Sequence, residues 1–141
     1  MRYSCLLTIT LLASLLGLTS CANTPIAPAV ADPTSMLVGN WEGKWAIDST
    51  GFEGKAQLVI ETVIGGTVTG HTTMFNTPFG DLTQAFSPAA FDGAKLNVKH
   101  GNNVSYVLSF SEKEHRPHMA GPLVYVGKSG TYHGTIRVVR Q

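Results

Sequence analysis

Cysteine is scarce in this chain: there are two in 141 residues, Cys5 and Cys21, both near the amino terminus. From Ala22 to Gln141 no thiol remains, which excludes a disulfide, a thiolate metal site and thiol redox chemistry in that stretch. Charge is scarce too, at 13% of residues with a formal net charge of +1. Setting aside residues 1–20 removes only Arg2 and leaves nine Lys and Arg against nine Asp and Glu. Without a basic stripe to meet a phosphate backbone, no nucleic acid partner is expected. No block of like charges marks an interaction tail. Also lacking, from Met36 onward, is any apolar stripe at helical spacing. A chain of this length has room for one domain.

The amino terminus does carry an apolar run. Arg2 precedes a mostly apolar stretch from Cys5 to Leu18, shorter than the roughly 20 residues that a membrane-crossing helix needs. A positive head and an apolar core of this size fit an export signal peptide over residues 1–20. The run ends at Leu18-Thr19-Ser20-Cys21. Taken alone, Cys21 is open to three readings: a reactive thiol, half of a disulfide, or a point of attachment. The tetrapeptide resembles the lipobox of bacterial lipoproteins, an aliphatic residue, two small ones and a cysteine directly at the end of the signal core. The resemblance implies cleavage before Cys21, a diacylglyceryl thioether on its sulfur, and a further acyl chain such as palmitate on the new amino terminus. Each buried methylene contributes about 0.8 kcal/mol, so several acyl chains make a lasting membrane anchor. Ala22, where an aspartate retains many such proteins at the inner membrane, implies the outer membrane, on its periplasmic face. Residues 22–35, ANTPIAPAVADPTS, contain Pro25, Pro28 and Pro33 and no apolar periodicity. They read as a Pro/Ala-rich tether, reaching roughly 40 Å at about 3.1 Å per residue, ahead of a domain at 36–141.

Within that domain apolar and polar residues alternate. Trp41, Gly43, Trp45 and Ile47 share a face, as do Ala56, Leu58 and Ile60; Val104, Tyr106, Leu108 and Phe110; and Tyr132, Gly134, Ile136 and Val138. A period of two with one dry face predicts half-buried antiparallel strands. DSTG at 48–51, IGG at 64–66, HGNN at 100–103 and GKSG at 127–130 supply turns. About eight strands result, near 41–47, 54–62, 67–75, 80–86, 94–100, 103–111, 117–126 and 131–140. The expected fold class is all-β, a small up-and-down antiparallel barrel whose closure removes exposed edges. Residues 76–93, NTPFGDLTQAFSPAAFDG, are interrupted by Pro78 and Pro88 and keep no single parity. They are open to three readings: a distorted strand, a gap in the wall, or a flap over the mouth. Pro122 inside a predicted strand marks a bulge or an edge.

Gly39-Asn40-Trp41 opens the first strand, and Arg140 shares the inward parity of Ile136 and Val138 on the last. This combination resembles the G-x-W signature of the lipocalin-like, or calycin, barrels. The resemblance implies that Trp41 closes one end and that Arg140 packs across it, a structural pair without catalytic meaning. Biotin-binding avidins share the G-x-W start, and GGTVTGHT at 65–72 is similar to their second hairpin, but the later tryptophans that line their pocket are missing here. Periplasmic lysozyme or protease inhibitors are also small barrels, and SGTYH at 129–133 approximates a motif of one such family, yet they usually carry a disulfide.

Candidate chemistry is thin. GKSGT at 127–131 lacks the earlier glycine of a phosphate loop, since Pro122 stands there, and a strand rather than a helix follows. His115 and His118 lie close to Glu112 and Glu114, but beside Pro117 in a polar turn they fall short of the three or four converging ligands a metal needs. His71 and His133 fall on outward faces and His100 ends a strand. None has a serine, cysteine or carboxylate partner for nucleophilic work, and the dispersed carboxylates form no buried acid–base pair. The expectation is therefore a protein that is not an enzyme and carries no metal or cofactor. What remains is the interior. Gly43, Gly70 and Gly134 facing inward leave volume, and Trp45, Tyr106 and Phe110 give apolar walls to a site for a small apolar ligand, with 76–93 as its entrance. The competing expectation is a protein-binding accessory, an inhibitor of a periplasmic hydrolase or an envelope-assembly factor, working through exposed loops.

Overall fold

The computed structural model describes residues 32–141. The expected signal peptide 1–20, the expected lipid attachment at Cys21 and the expected tether as far as Ala31 lie outside the described residues. A short helix, α1 (Pro33–Leu37), leads into nine strands: β1 (Gly39–Ile47), β2 (Glu53–Ile64), β3 (Thr67–Thr77), β4 (Gly80–Ala85), β5 (Ala89–Phe91), β6 (Lys95–His100), β7 (Val104–Lys113), β8 (Arg116–Gly127) and β9 (Gly130–Arg140).

The tether was expected to run to residue 35, and α1 corrects that boundary. Asp32 Oδ1 accepts the Thr34 N–H at 2.9 Å, and Pro33 in the first turn sits where the helix needs no donor. The turn carries Leu37 to a fully buried position. The domain's core therefore begins before the first strand.

Each strand pairs antiparallel with its neighbours, in the order β2-β1-β9-β8-β7-β6-β5-β3, and β2–β3 pairing closes the ring. Eight strands make the wall and β4 is a ninth, laid against β3. The disputed segment 76–93 resolves here as a distorted strand. His71↔Ala85 and Thr67↔Ala90 show β4 and β5 running alongside β3 in nearly one register, as two halves of a bent strand. Only β5 is paired on its far side, to β6, because β6 ends at His100. Beside β4 the wall is open. Pro122 marks an interruption as well. The β7–β8 ladder breaks between Tyr106↔Leu123 and Ser109↔Ala120, since proline has no N–H to donate, while the β8–β9 ladder runs through unbroken.

The inward parity is as the alternation predicts. Trp41, Trp45, Ile47, Leu58, Ile60, Leu108, Ile136 and Val138 are all buried. The core of the described residues runs from Leu37 to Val138 and each strand finds its partners within this span, so the domain contains its own folding interactions.

The inward glycines do not leave volume as expected. A Cβ on Gly43 would collide with the Arg137 carbonyl of β9, and one on Gly134 with the Ala46 carbonyl of β1. Here glycine lets the neighbouring backbone come close and the wall bend sharply. A Gly134→Ala variant is accordingly expected to lose on the order of 2–3 kcal/mol of stability, the cost of forcing a methyl into filled space. Chemical denaturation measures this, and an unchanged midpoint contradicts the assignment.

Candidate functional site: a cup at the open end of the barrel

One end of the barrel is sealed. Trp41 is fully buried, donates from Nε1 to the Leu37 carbonyl at 2.8 Å, and meets Phe110 edge-on with ring centroids 6.3 Å apart. Arg140 stands opposite Trp41 in the β1–β9 register, and its guanidinium donates to the Val38 carbonyl at 2.9 Å, closing over Gly39. Aliphatic side chains fill the barrel above this seal, including Leu58, Leu96, Leu108 and Met119.

The other end is open. A cavity of about 710 Å³ occupies it, bounded by strand ends and by the turns that carry Thr50, Phe79, Asn103 and Ser129. Trp45, Met74 and Leu123 form its lower part, and Trp45 is held by an Nε1–H bond to the Phe75 carbonyl at 3.0 Å. Phe79 reaches over the cup from the β3–β4 turn and meets Tyr125, which stacks in turn on Tyr132. Phe52, Phe79 and Val126 leave the rim conspicuously apolar, at 48%, 71% and 44% exposure.

A buried polar chain lies beneath. Thr72 and Tyr106 are each one inward position below a cavity residue, Met74 on β3 and Val104 on β7. Their hydroxyls are hydrogen-bonded to each other, the Tyr106 hydroxyl meets His100 Nε2 at 3.2 Å, and His100 Nδ1 meets the Ala85 carbonyl at 3.0 Å. The carbonyl fixes every proton in the series. It only accepts, so Nδ1 carries the hydrogen and Nε2 accepts from Tyr106, whose oxygen accepts in turn from Thr72. Burial pushes the His100 pKa below that of an ordinary imidazole, against the Ala85 carbonyl, which raises it. Burial likewise pushes the Tyr106 phenol up, partly offset by the Thr72 hydroxyl. Both groups are held neutral, and no carboxylate joins them.

The residues singled out in the sequence are thus spread along the barrel axis. Trp45 lines the cup. Tyr106 is 2% exposed and belongs to the layer under it. Phe110 is on the same inward face but three inward positions beyond Val104, which places it at the sealed end against Trp41. The entrance segment contributes Thr77, Pro78, Phe79 and Leu82 to the cup. Phe52, Tyr125 and Tyr132 also line it, unforeseen. Tyr132 had the inward parity that marks such a residue, whereas Phe52 and Phe79 sit in turns where parity carries no signal. His71 faces Glu61 at 3.8 Å on the outer surface, and His115 occupies an exposed turn. Among the described residues no three His, Cys, Asp or Glu side chains are grouped to hold a metal ion.

No protein-family model and no curated protein matches the chain. A solved structure of a redesigned beta barrel is similar, with a TM-score of 0.53 over 79% of this chain and 96% of that one, at 8% identity. This chain is a closed antiparallel β-barrel. At so low an identity the likeness speaks for the fold alone, and the site has to be read from its own residues.

The polar layer yields two expected outcomes. Tyr106→Phe leaves Nε2 of His100 without a donor and costs about 1–3 kcal/mol in denaturant titrations. The neutral His100 also makes stability depend on pH. The unfolded imidazole takes up its proton at about pH 6.5 while the folded one resists, so stability present at neutral pH is lost as the pH falls below that value. Thermal melts of the wild type and of His100→Gln check this, the variant losing most of that dependence.

Proposed function

We propose that this chain is a binding protein of the bacterial outer membrane, hung from lipid at Cys21 on the periplasmic side, whose calycin-like barrel holds a small apolar ligand in its open end. The observation that carries the reading is the cup itself. Its volume of about 710 Å³ exceeds the roughly 300 Å³ at which small-molecule sites begin, and Trp45, Met74, Leu82 and Leu123 give it apolar walls. Binding rather than catalysis fits the buried titratable groups, because His100 and Tyr106 are committed to each other and to Ala85.

An anchor at Cys21 suits the orientation of the cup. Asp32, eleven residues after Cys21 in the sequence, leads into α1 at the sealed end. A lipid on Cys21 then holds the barrel by its sealed end, and the mouth stays free to meet ligand. A second reading has one observation of its own. The exposed rim of Phe52, Phe79 and Val126 suits a protein partner, as in a hydrolase inhibitor or an envelope-assembly factor.

Native mass spectrometry of the protein released from its own membrane separates the two. A discrete small molecule retained on an acylated chain is expected. A bare protein mass, together with capture of one envelope protein that Phe79→Ser abolishes, favours the partner reading instead. For the anchor, Cys21→Ala is expected to abolish metabolic labelling with palmitate, and labelling that persists contradicts attachment at Cys21.

A further inference from the structure

The lining of the cup has a chemical bias beyond being apolar. The chain has twelve Phe, Trp and Tyr residues, from six Phe, two Trp and four Tyr, and five of them line this cavity: Trp45, Phe52, Phe79, Tyr125 and Tyr132. Three form a continuous wall. The Tyr125 and Tyr132 rings lie 5.9 Å apart at 25°, and Phe79 continues the row 6.4 Å from Tyr125. The glycine at 127 contributes to this arrangement, because a Cβ there would stand 3.0 Å from the Tyr125 ring. Aromatic rings grouped in this way favour a planar ring system, which they can meet by offset stacking or edge-to-face contact. A flexible acyl chain would gain no stacking and would lose rotational freedom on entry.

Charge adds a second bias. Of the residues around the cavity, Lys128 is charged and none is Asp or Glu. Asp81, at the start of β4 beside the overhanging turn, accepts the Asn76 N–H on its carboxylate at 3.0 Å. Next to Lys128 the Ser129 and Tyr132 hydroxyls are hydrogen-bonded at 2.7 Å, which uses one of their two protons and leaves the other to donate beside the cation. A ligand with an acid group at one edge keeps that group in water, against Lys128, while its rings leave water.

We propose that the cup selects a planar aromatic anion, its rings against the Phe79–Tyr125–Tyr132 wall and its acid group at Lys128. This rests on the reading of the cup as a ligand site. It is tested with the mature polypeptide made without its leader and with Cys21→Ser, using three probes. Anilinonaphthalene sulfonate and phenylnaphthylamine differ only in the sulfonate, and dodecanoate is an anion without rings. Binding is followed by dye emission and by calorimetry. The sulfonate is expected to bind once per chain, about fivefold tighter than its neutral counterpart, the scale of a partly solvated ion pair. Lys128→Met is expected to remove that preference, and dodecanoate to bind more weakly than either dye. Equal affinity for the two dyes, a preference that survives Lys128→Met, or tighter binding of dodecanoate overturns the proposal and leaves the cup as a general apolar site. If none of the three binds, the ligand-site reading falls with it.

Discussion

The antiparallel pairing of β9 with β1 is the contact on which the rest of the molecule depends. It brings the last strand to the first across nearly the whole domain, from Trp41↔Arg140 to Ile47↔Gly134. Without it the sheet would have two long edges and no inside. With it, alternate side chains acquire a common interior, and α1 and the end of β9 seal one mouth. Trp41 holds α1 by the Leu37 carbonyl, Arg140 holds Val38, and the Gln141 N–H reaches the Asn40 carbonyl. Because the segment entering β1 and the end of β9 meet there, the opposite mouth is built from turns and strand ends.

That asymmetry divides the interior. Below, aliphatic side chains pack densely with the Trp41 indole. Above, the walls continue but the filling stops, and the buried Thr72–Tyr106–His100 chain lies between. A polar layer at this depth has a directional role that aliphatic packing lacks. Each of its hydrogen bonds needs a particular strand at a particular height, so it ties β3, β6 and β7 to the bent β4–β5 segment where the wall is weakest. The gap beside β4 then follows from β6 ending at His100.

Much of this architecture was legible in the sequence because a strand's parity is a local property. Trp41, Gly43, Trp45 and Ile47 announce their face without any knowledge of neighbours. Closure was legible through the inward parity of Arg140. Height along the barrel was not, since parity says which residues face inward and nothing of how far down they lie. Tyr106 and Phe110 therefore looked like cavity walls although one lies in the polar layer and the other at the seal. The inward glycines misled for a related reason, as only the register shows that a neighbouring carbonyl takes the space a Cβ would use. Phe52 and Phe79, in turns, carried no periodic signal, and the His100–Tyr106–Thr72 chain joins residues from three strands with no motif between them.

The central claim is that the interior is packed at the Trp41 end and open at the Trp45 end, with the opening able to receive an apolar molecule. A crystal structure of the domain grown with a heavy-atom-labelled apolar ligand tests this most directly. The account predicts ligand density in contact with Trp45, Met74 and Leu123, with Trp41 and Phe110 untouched. A cup collapsed around Phe79 and Tyr132, or ligand lodged at the Trp41 end, would contradict it.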